Sequence, residues 1–322
     1  GPNSVLDGLT IKNAYAVAGG AIQCYSSSPK ITNCVLVNNV ALEEGGAISC
    51  HNSDVTIANC VIRSNSAIGG GIGPMGVSIG GVTQSWRRGG GGISCIDSNP
   101  SITNCVISDN EAQGDEFSDS GAGGGIWCDN SSPLIANCTF VNNTAFEGGS
   151  IYCCFGSNPA VTNCILWDGT PEEIYVFDGS PVVTYCNVQG GFPGTGNINS
   201  DPCFADTSSS DPNKWDYHLQ SQAGRWDPNV SEWVTDANTS LCIDAGDPNS
   251  DWTAELWPHG KRINMGAYGG TSQASMSLSD AGNIADLNNS NSVGYTDLML
   301  LANKWLYQEV LLRENLDRNG FV

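Results

Sequence analysis

The sequence predicts an all-β fold, a right-handed parallel β-helix. Three observations predict it: a recurring glycine–isoleucine–cysteine phrase, a second phrase at a fixed distance behind it, and a repeat period near 26 residues. The first phrase ends at Cys24, Cys50, Cys95, Cys128 and Cys153. The second reads Ile31 to Cys34, Ile57 to Cys60, Ile102 to Cys105, Ile135 to Cys138 and Val161 to Cys164. The cysteine-to-cysteine step is 10 in four repeats, and 10 or 11 in the fifth, depending on whether Cys154 or Cys153 is equivalent. Successive repeats are 26, 45 and 33 residues apart, then 25 or 26. The two long steps read as one coil carrying inserts at about 73–91 and 113–121. A unit of short β-branched runs broken by Gly, Pro or Asn cannot bury its apolar face alone. Stacking copies in a column solves that.

Each coil is expected to place Ile and Cys inward at alternate positions, as at Ile22/Cys24, Ile48/Cys50 and Ile93/Cys95. Pro29, Pro100, Pro133 and Pro159 mark turns between the phrases. The Asn before each second cysteine (Asn33, Asn59, Asn104, Asn137, Asn163) suits a left-handed turn residue, and this column is expected to form an amide ladder.

The chain has 322 residues with a formal net charge of −21, which argues against a phosphate-backbone partner and anionic membrane surfaces. No run of about 18 apolar residues is present, so direct membrane insertion is not expected. No signal peptide is visible. Hydrophobic residues make up 40% of the chain, enough to build a core, while Gly and Pro stay below collagen-like levels.

The glycine–isoleucine phrase, followed by a hydrophobic segment closing on Asn (Val35–Asn38, Val61 to Asn65, Thr139–Asn142), is similar to the repeats of polymorphic outer-membrane proteins and related β-helix adhesins. The likeness covers roughly residues 5–165 and implies fold rather than activity. Coil-like sequence continues from Ile174 to Gly191. The succession Asp201–Asp206, Asp216–Ser221, Ser240–Asp247 and Arg262–Tyr268 then resembles the C-terminal cap of secreted bacterial right-handed β-helix repeat proteins. The expected organisation is a β-helix over 1–270 with its cap at about 192–270. A linker at 271–283 and a small module at 284–322 follow. Five tryptophans (Trp215, Trp226, Trp233, Trp252, Trp257) read as a plug over the last coil, with a glycan-stacking platform as the other reading.

The module begins with Asp286, Asn288, Ser290 and Asp297 at loop positions 1, 3, 5 and 12, and Ser292 at position 7. These oxygen donors suit calcium. A helix is expected over Leu298–Leu306. The pattern resembles the first half of a dockerin-type, EF-hand-like calcium module. Asn291 stands where the turn glycine usually sits, and Asp297 replaces the bidentate Glu. Asn315, Asp317 and Asn319 open a second loop that is incomplete at residue 322, and the chain reads as a fragment at both ends.

The laddered cysteines are expected to be inert thiols. Cys203 with Cys242 is the best disulfide candidate, and no Cys/His spacing supports zinc, the three histidines (His51, His218, His259) being scattered. No catalytic constellation is evident. Arg87 and Arg88, in the longer insert, are weak candidates for gripping an anionic sugar. Arg63 lies on an outward column with Val37, Ser108, Val141 and Trp167 and reads as solvated, with no acid stacked on it. Glu43, Glu44, Asp115, Glu116, Asp119 and Glu147 gather near one rim, each best read as a solvated turn acid.

The leading functional expectation is a secreted or cell-surface structural or adhesive β-helix, anchored through calcium and able to stack into fibres. Its partners would be further copies of itself, a surface anchor protein or a polysaccharide. The alternative is a carbohydrate-active enzyme (polysaccharide lyase or glycoside hydrolase) or a glycan-binding protein. Whether the chain is an enzyme is left open, with non-catalytic roles preferred.

Overall fold

The computed structural model describes residues 4–69, 88–114, 121–209, 214–279, 281, 285, 287 and 293–303, with Arg88 and Asn303 by their backbone only. The described residues form thirty strands and one helix. By compactness the chain divides into a unit of Gly1–Pro202 with Met265–Ala267, and a unit of Cys203–Asn264 with Tyr268–Val322.

The first unit is a parallel β-helix with up to four short strands per coil, more than the two or three the repeat suggests. The first sheet stacks seven strands in the order Val5–Asp7, Lys30–Thr32, Thr56–Ala58, Ser101–Thr103, Leu134–Ala136, Ala160–Thr162 and Val182–Thr184. The second stacks seven, from Thr10–Lys12 through Val61–Arg63 and Val106–Ser108 to Asn187–Val188. The third contains Tyr15–Ala18, Val40–Glu44, Ser66–Ala67 and Glu111–Ala112, and a separate two-stranded ladder pairs Arg88–Gly89 with Gly121–Ala122. The fourth runs Ile22–Tyr25, Ile48–His51, Ile93–Ile96, Ile126–Asp129, Ile151–Cys154 and Ile174–Val176.

In-register stacking turns the repeat into internal columns. Ile48 pairs with Ile93, Ile93 with Ile126 and Ile126 with Ile151, all fully buried. At about 1.5–3 kcal/mol per buried isoleucine, such a column is a major part of the apolar driving force. The cysteine column runs Cys24, Cys50, Cys95, Cys128, Cys153. Cys153 is therefore the repeat-equivalent residue and the fifth step is 11.

Each coil turns through four corners, and the corners share one device, a single left-handed residue. After the first sheet it is Asn33, Asn59, Asn104, Asn137 and Asn163, with φ between 49° and 56°. After the second it is Asn38, Ser64, Asp109, Asn142 and Asp168, and after the fourth Ser26, Asn52, Asp97, Asn130 and Phe155. Asn, Asp and Ser bear this conformation at modest cost because their short side chains bond locally. The corner between the third and fourth sheets takes glycine instead. At Gly45 (φ 63°) a Cβ would lie 2.3 Å from the Ile48 carbonyl oxygen, and at Gly46 it would lie 2.1 Å from Gly91 O one coil on.

The amide ladder is real but belongs to another column. Asn39 Nδ2 donates to Asn65 Oδ1 (2.9 Å), Asn65 Nδ2 to Asn110 Oδ1 (2.9 Å), and Asn110 Nδ2 to Asn143 Oδ1 (3.0 Å). These four are buried. In the expected column Asn163 Nδ2 donates to Asn137 Oδ1 at a long 3.4 Å, while Asn33 Nδ2 donates to Asp7 Oδ1 and Asn104 Nδ2 to Ala267 O. A serine column supports the opposite corner, with Ser53, Ser98, Ser131 and Ser157 each accepting a backbone N–H from the coil before.

In the second unit, antiparallel pairs join Phe204–Asp206 to Asp216–Leu219 and Arg225–Asp227 to Glu232–Val234. The stretch expected as a linker is tied in up to residue 277. Ser275 Oγ donates to Leu219 O, Met276 N–H to Gly224 O, and Ser277 N–H to Pro258 O. Small polar residues suit this role because each buried polar group finds a partner. The helix spans Tyr295–Asn303, starting three residues before the expected position. Asp297 Oδ2 accepts the Gly294 N–H at 2.8 Å, a capping contact that sets the start.

Candidate functional site: a corner groove along the coils

The outward columns of the third and fourth sheets face each other across the glycine corner. On the third-sheet side the column is Ala18, Glu44, Gly89, Ala122 and Glu147, each followed by the left-handed glycine. On the fourth-sheet side the inner column is Gln23, Ser49, Ser94, Trp127, Tyr152 and Tyr175. The next outward column is Tyr25, His51, Ile96, Asp129 and Cys154. The walls touch: Ala122 packs with Trp127, Tyr152 and Cys154, and a Cβ on Gly89 would come within 2.8 Å of the Trp127 ring.

At the second coil the two walls are bridged by polar contacts. Glu44 Oε1 accepts from Ser49 Oγ at 3.4 Å and pairs with His51 Nε2 in a short ion-pair contact. The Glu44 hydrogen bond pushes the His51 pKa up, opposed by partial burial, with Asp97 and Asp129 adding to the rise. Tyr25 stacks on His51 with ring centroids 6.1 Å apart and is 69% exposed. One coil on, Ser94 replaces Ser49, and its buried Oγ has no partner. Trp127, next in register, holds a buried indole N–H that also has none. Tyr152 and Tyr175 complete the column as a stacked pair at 5.6 Å. The corner thus combines an exposed ring and a carboxylate–imidazole pair at the surface with two fully buried polar groups that have no hydrogen-bond partner.

Glu44 was expected as a solvated turn acid; it ends a strand and is held by His51 and Ser49. His51, one of three scattered histidines in the sequence, is brought to it by the glycine corner. The signal was present as Glu44-Gly-Gly-Ala-Ile-Ser49-Cys-His51, but only a sharp turn after residue 44 makes it a cluster. Glu147 lies on the same wall, three coil steps from Glu44, about 14 Å. Asp115, Glu116 and Asp119 lie outside the described residues, as does Arg87. Arg88 is described only by its backbone, paired with Gly121.

Arg63 does occupy the outward column with Val37, Ser108, Val141 and Trp167. It is half-buried rather than solvated, and an acid does accompany it. Burial raises the Asp109 pKa, while hydrogen bonding and the Arg63 charge oppose the rise. Met265–Ala267 crosses this face, where Ala267 N–H donates to Thr139 Oγ1 and Asn104 Nδ2 donates to Ala267 O.

Of the calcium-loop residues, Asp286, Asn288, Ser290, Ser292, Asn315, Asp317 and Asn319 lie outside the described residues. Asp297 is buried at the helix cap. Cys203 and Cys242 are thiols in the structure, like the other twelve cysteines, so the expected bridge is not formed.

The second unit carries a buried charged network that the sequence did not reveal. Arg225 bonds Asp216 Oδ2 (3.0 Å) and Asp236 Oδ2 (3.0 Å). His218 Nδ1 meets Asp216 Oδ1 at 2.5 Å, its ring stacks on Tyr268 at 3.5 Å, and its buried Nε2 has no partner.

Comparison with known proteins gives two family matches. Residues 77–203 match the model of a right-handed β-helix region, and residues 175–246 match a family described as disaggregatase related. No curated protein matches the chain. Among solved structures, the crystal structure of pectate lyase Pel9A aligns at 17% identity with a TM-score of 0.33. That alignment covers 83% of this chain but only 55% of the lyase chain. No helix among the described residues is long and apolar enough to cross a membrane. Stacked parallel ladders, one short helix and the matched repeat region make this an all-β parallel β-helix protein.

Proposed function

We propose that the protein is a secreted or cell-surface β-helix with an adhesive, structural role, and that it engages a polysaccharide along the corner groove. One observation carries this reading: Glu44, Ser49 and His51 converge beside the exposed ring of Tyr25. Sugars are held by a ring for stacking and by several hydroxyl-matching groups. Coils about 4.8 Å apart repeat those groups at roughly the length of one pyranose. The test is affinity electrophoresis against a panel of soluble glycans. Retardation that disappears in Tyr25→Ala and weakens in Glu44→Gln supports the reading, and equal mobility on every glycan sinks it.

A second reading is cleavage of the bound chain, favoured by the carboxylate–imidazole pair and by the name of the matched disaggregatase-related family. Hydrolysis by two carboxylates requires them about 5–9.5 Å apart. Glu44 and Glu147, at about 14 Å along the stack, do not meet that spacing. New reducing ends or unsaturated products from the same panel would favour this reading over simple binding.

The anchoring part of the proposal rests on sequence pattern. Asp286, Asn288, Ser290, Ser292 and Asp297 would hold calcium, a hard cation suited to oxygen donors. Fibre formation would follow if the ladders that join coil to coil also join molecules. Sedimentation and electron microscopy in calcium and after chelation test both. Long particles that shorten on chelation support them, and a rod of constant length argues against them.

A further inference from the structure

Phe155 departs from the residue type that its corner otherwise uses. After the fourth sheet the left-handed residue is Ser26, Asn52, Asp97 and Asn130 in the first four coils, and Phe155 in the fifth, at φ 51°. Short polar side chains bear this conformation by bonding locally, whereas a bulky ring there is an outlier. Phe155 is also 52% exposed, so burial of its ring does little to offset the strain. Backbone strain that the surrounding packing does not repay points to recognition.

The next coil adds a second ring. Cys153 pairs with Val176, which sets Phe177 opposite Cys154, one coil beyond Phe155, and Phe177 is 53% exposed. Phe177 thus continues the outward column that starts with Tyr25 and His51. Tyr25 and Phe177 are five coil steps apart, about 24 Å. Between them the exposed corner row is polar, formed by Asn52, Asp97 and Asn130, with Asn130 Nδ2 donating to Asp97 Oδ1 at 2.6 Å. Rings at the two ends and hydrogen-bonding groups between them suit a sugar chain, whose apolar faces stack and whose hydroxyls bond. A protein interface calls for a contiguous apolar centre. The polar row interrupts one here, and the exposed Leu134 and Val182 lie past the corner on the first sheet.

We propose that Phe155 and Phe177 form a second stacking subsite for the glycan that Tyr25 engages, so that the bound chain runs along the stack of coils. This inference rests on the glycan-binding reading above and adds a direction and a minimum length to its ligand. With coils about 4.8 Å apart and one sugar to a coil, about five or six sugars reach both ends.

Oligosaccharides of three and seven residues, cut from cellulose, xylan, mannan and homogalacturonan, test this by titration calorimetry. On a backbone that binds, the heptamer is expected to be about tenfold tighter than the trimer, because its second contact is intramolecular. Phe155→Asn/Phe177→Ser should bring the heptamer to within about twofold of the trimer and leave the trimer unchanged. Phe155→Asn alone restores the residue type of the other corners, so it should melt at or above the parent temperature. A lower melting temperature would make Phe155 a structural ring and overturn the inference. Equal affinity of the parent for trimer and heptamer overturns it as well, as does a double variant with undiminished heptamer affinity, and both leave glycan binding at Tyr25 intact. Self-association of the parent in sedimentation, abolished in the double variant while heptamer affinity holds, assigns the rings to a protein contact instead. Absence of binding at both lengths on every backbone overturns the glycan-binding reading and the inference together.

Discussion

Asn110 accepts from Asn65 Nδ2 at 2.9 Å and donates to Asn143 at 3.0 Å, so one amide joins three coils. Its Oδ1 also takes the Asn65 backbone N–H (3.1 Å), and its second N–H goes to Ile62 O (2.9 Å). Both donors and both acceptor positions of a fully buried side chain are therefore used.

Replacing Asn110 by Leu keeps the volume and strands several partners at once: the Asn65 backbone and side-chain donors and the Ile62 carbonyl, while Asn143 Oδ1 keeps only the backbone N–H of residue 110. At about 1–3 kcal/mol per buried orphan, a loss of at least 3 kcal/mol is expected. Urea denaturation of N110L against the parent measures it. A change below 1 kcal/mol would mean that water enters the column and the ladder is not a main source of coil-to-coil cohesion.

The ladder also shows where sequence reasoning succeeded and where it stopped. Alternating Ile and Cys revealed the inward columns, because strand periodicity needs no tertiary knowledge. Two Asn columns were available, and the amide ladder was assigned to the turn residues Asn33 to Asn163. The informative signal lay in the pairs Asn38-Asn39, Ser64-Asn65, Asp109-Asn110 and Asn142-Asn143. Their first member varies because any short polar residue tolerates the left-handed corner, whereas the second is always Asn because an amide has two N–H donors besides its acceptor, one for a backbone carbonyl and one for the next amide. The groove was less legible. Glu44 and His51 look unrelated until the glycine corner folds one sheet edge onto the next, and the long inserts disguise that Gly89 and Ala122 continue the Glu44 wall.

Glu173 makes stability depend on pH. Its carboxyl is 3% exposed, accepts from Ser150 Oγ (2.5 Å) and Gly169 N–H (2.7 Å), and burial raises its pKa to about 7. The unfolded chain titrates near 4.5. Between those values the unfolded state has released its proton while the folded state retains it, so stability falls as pH rises from about 4.5 to 7 and levels off above. The loss is on the order of 2–3 kcal/mol. Glu173→Gln should flatten that part of the profile. Parallel profiles of parent and variant in thermal melts from pH 4 to 8 would show that the carboxyl ionises without cost.

Arg225 neutralises two carboxylates in the second unit, bonding Asp216 and Asp236 from a nearly buried position. Arg225→Met removes the cation and leaves both acids facing each other across apolar surroundings, with a penalty of about 3–5 kcal/mol. The double variant Asp216→Asn/Arg225→Met should recover part of it, since one stranded charge is then gone. Chemical denaturation of the single and double variants tests this. A double variant no more stable than the single one would assign the network a packing role rather than a charge role.

Thirteen of the fourteen thiols are buried, and Cys203 is the partly exposed one. Burial pushes the Cys105, Cys138 and Cys164 thiols up from their ordinary value, so little thiolate exists even at mildly alkaline pH. Reagent access is blocked by the coil walls as well, so reaction must await opening of the stack. With a disulfide reagent at pH 8, the native protein is expected to show at most one fast thiol, lost in Cys203→Ser. The others should react in a single slow phase whose rate does not depend on reagent concentration, because unfolding limits it, and all fourteen should react in denaturant. Several native thiols reacting in proportion to reagent would instead show that individual coils open independently, with less of the cooperativity that in-register cysteine and asparagine columns impose.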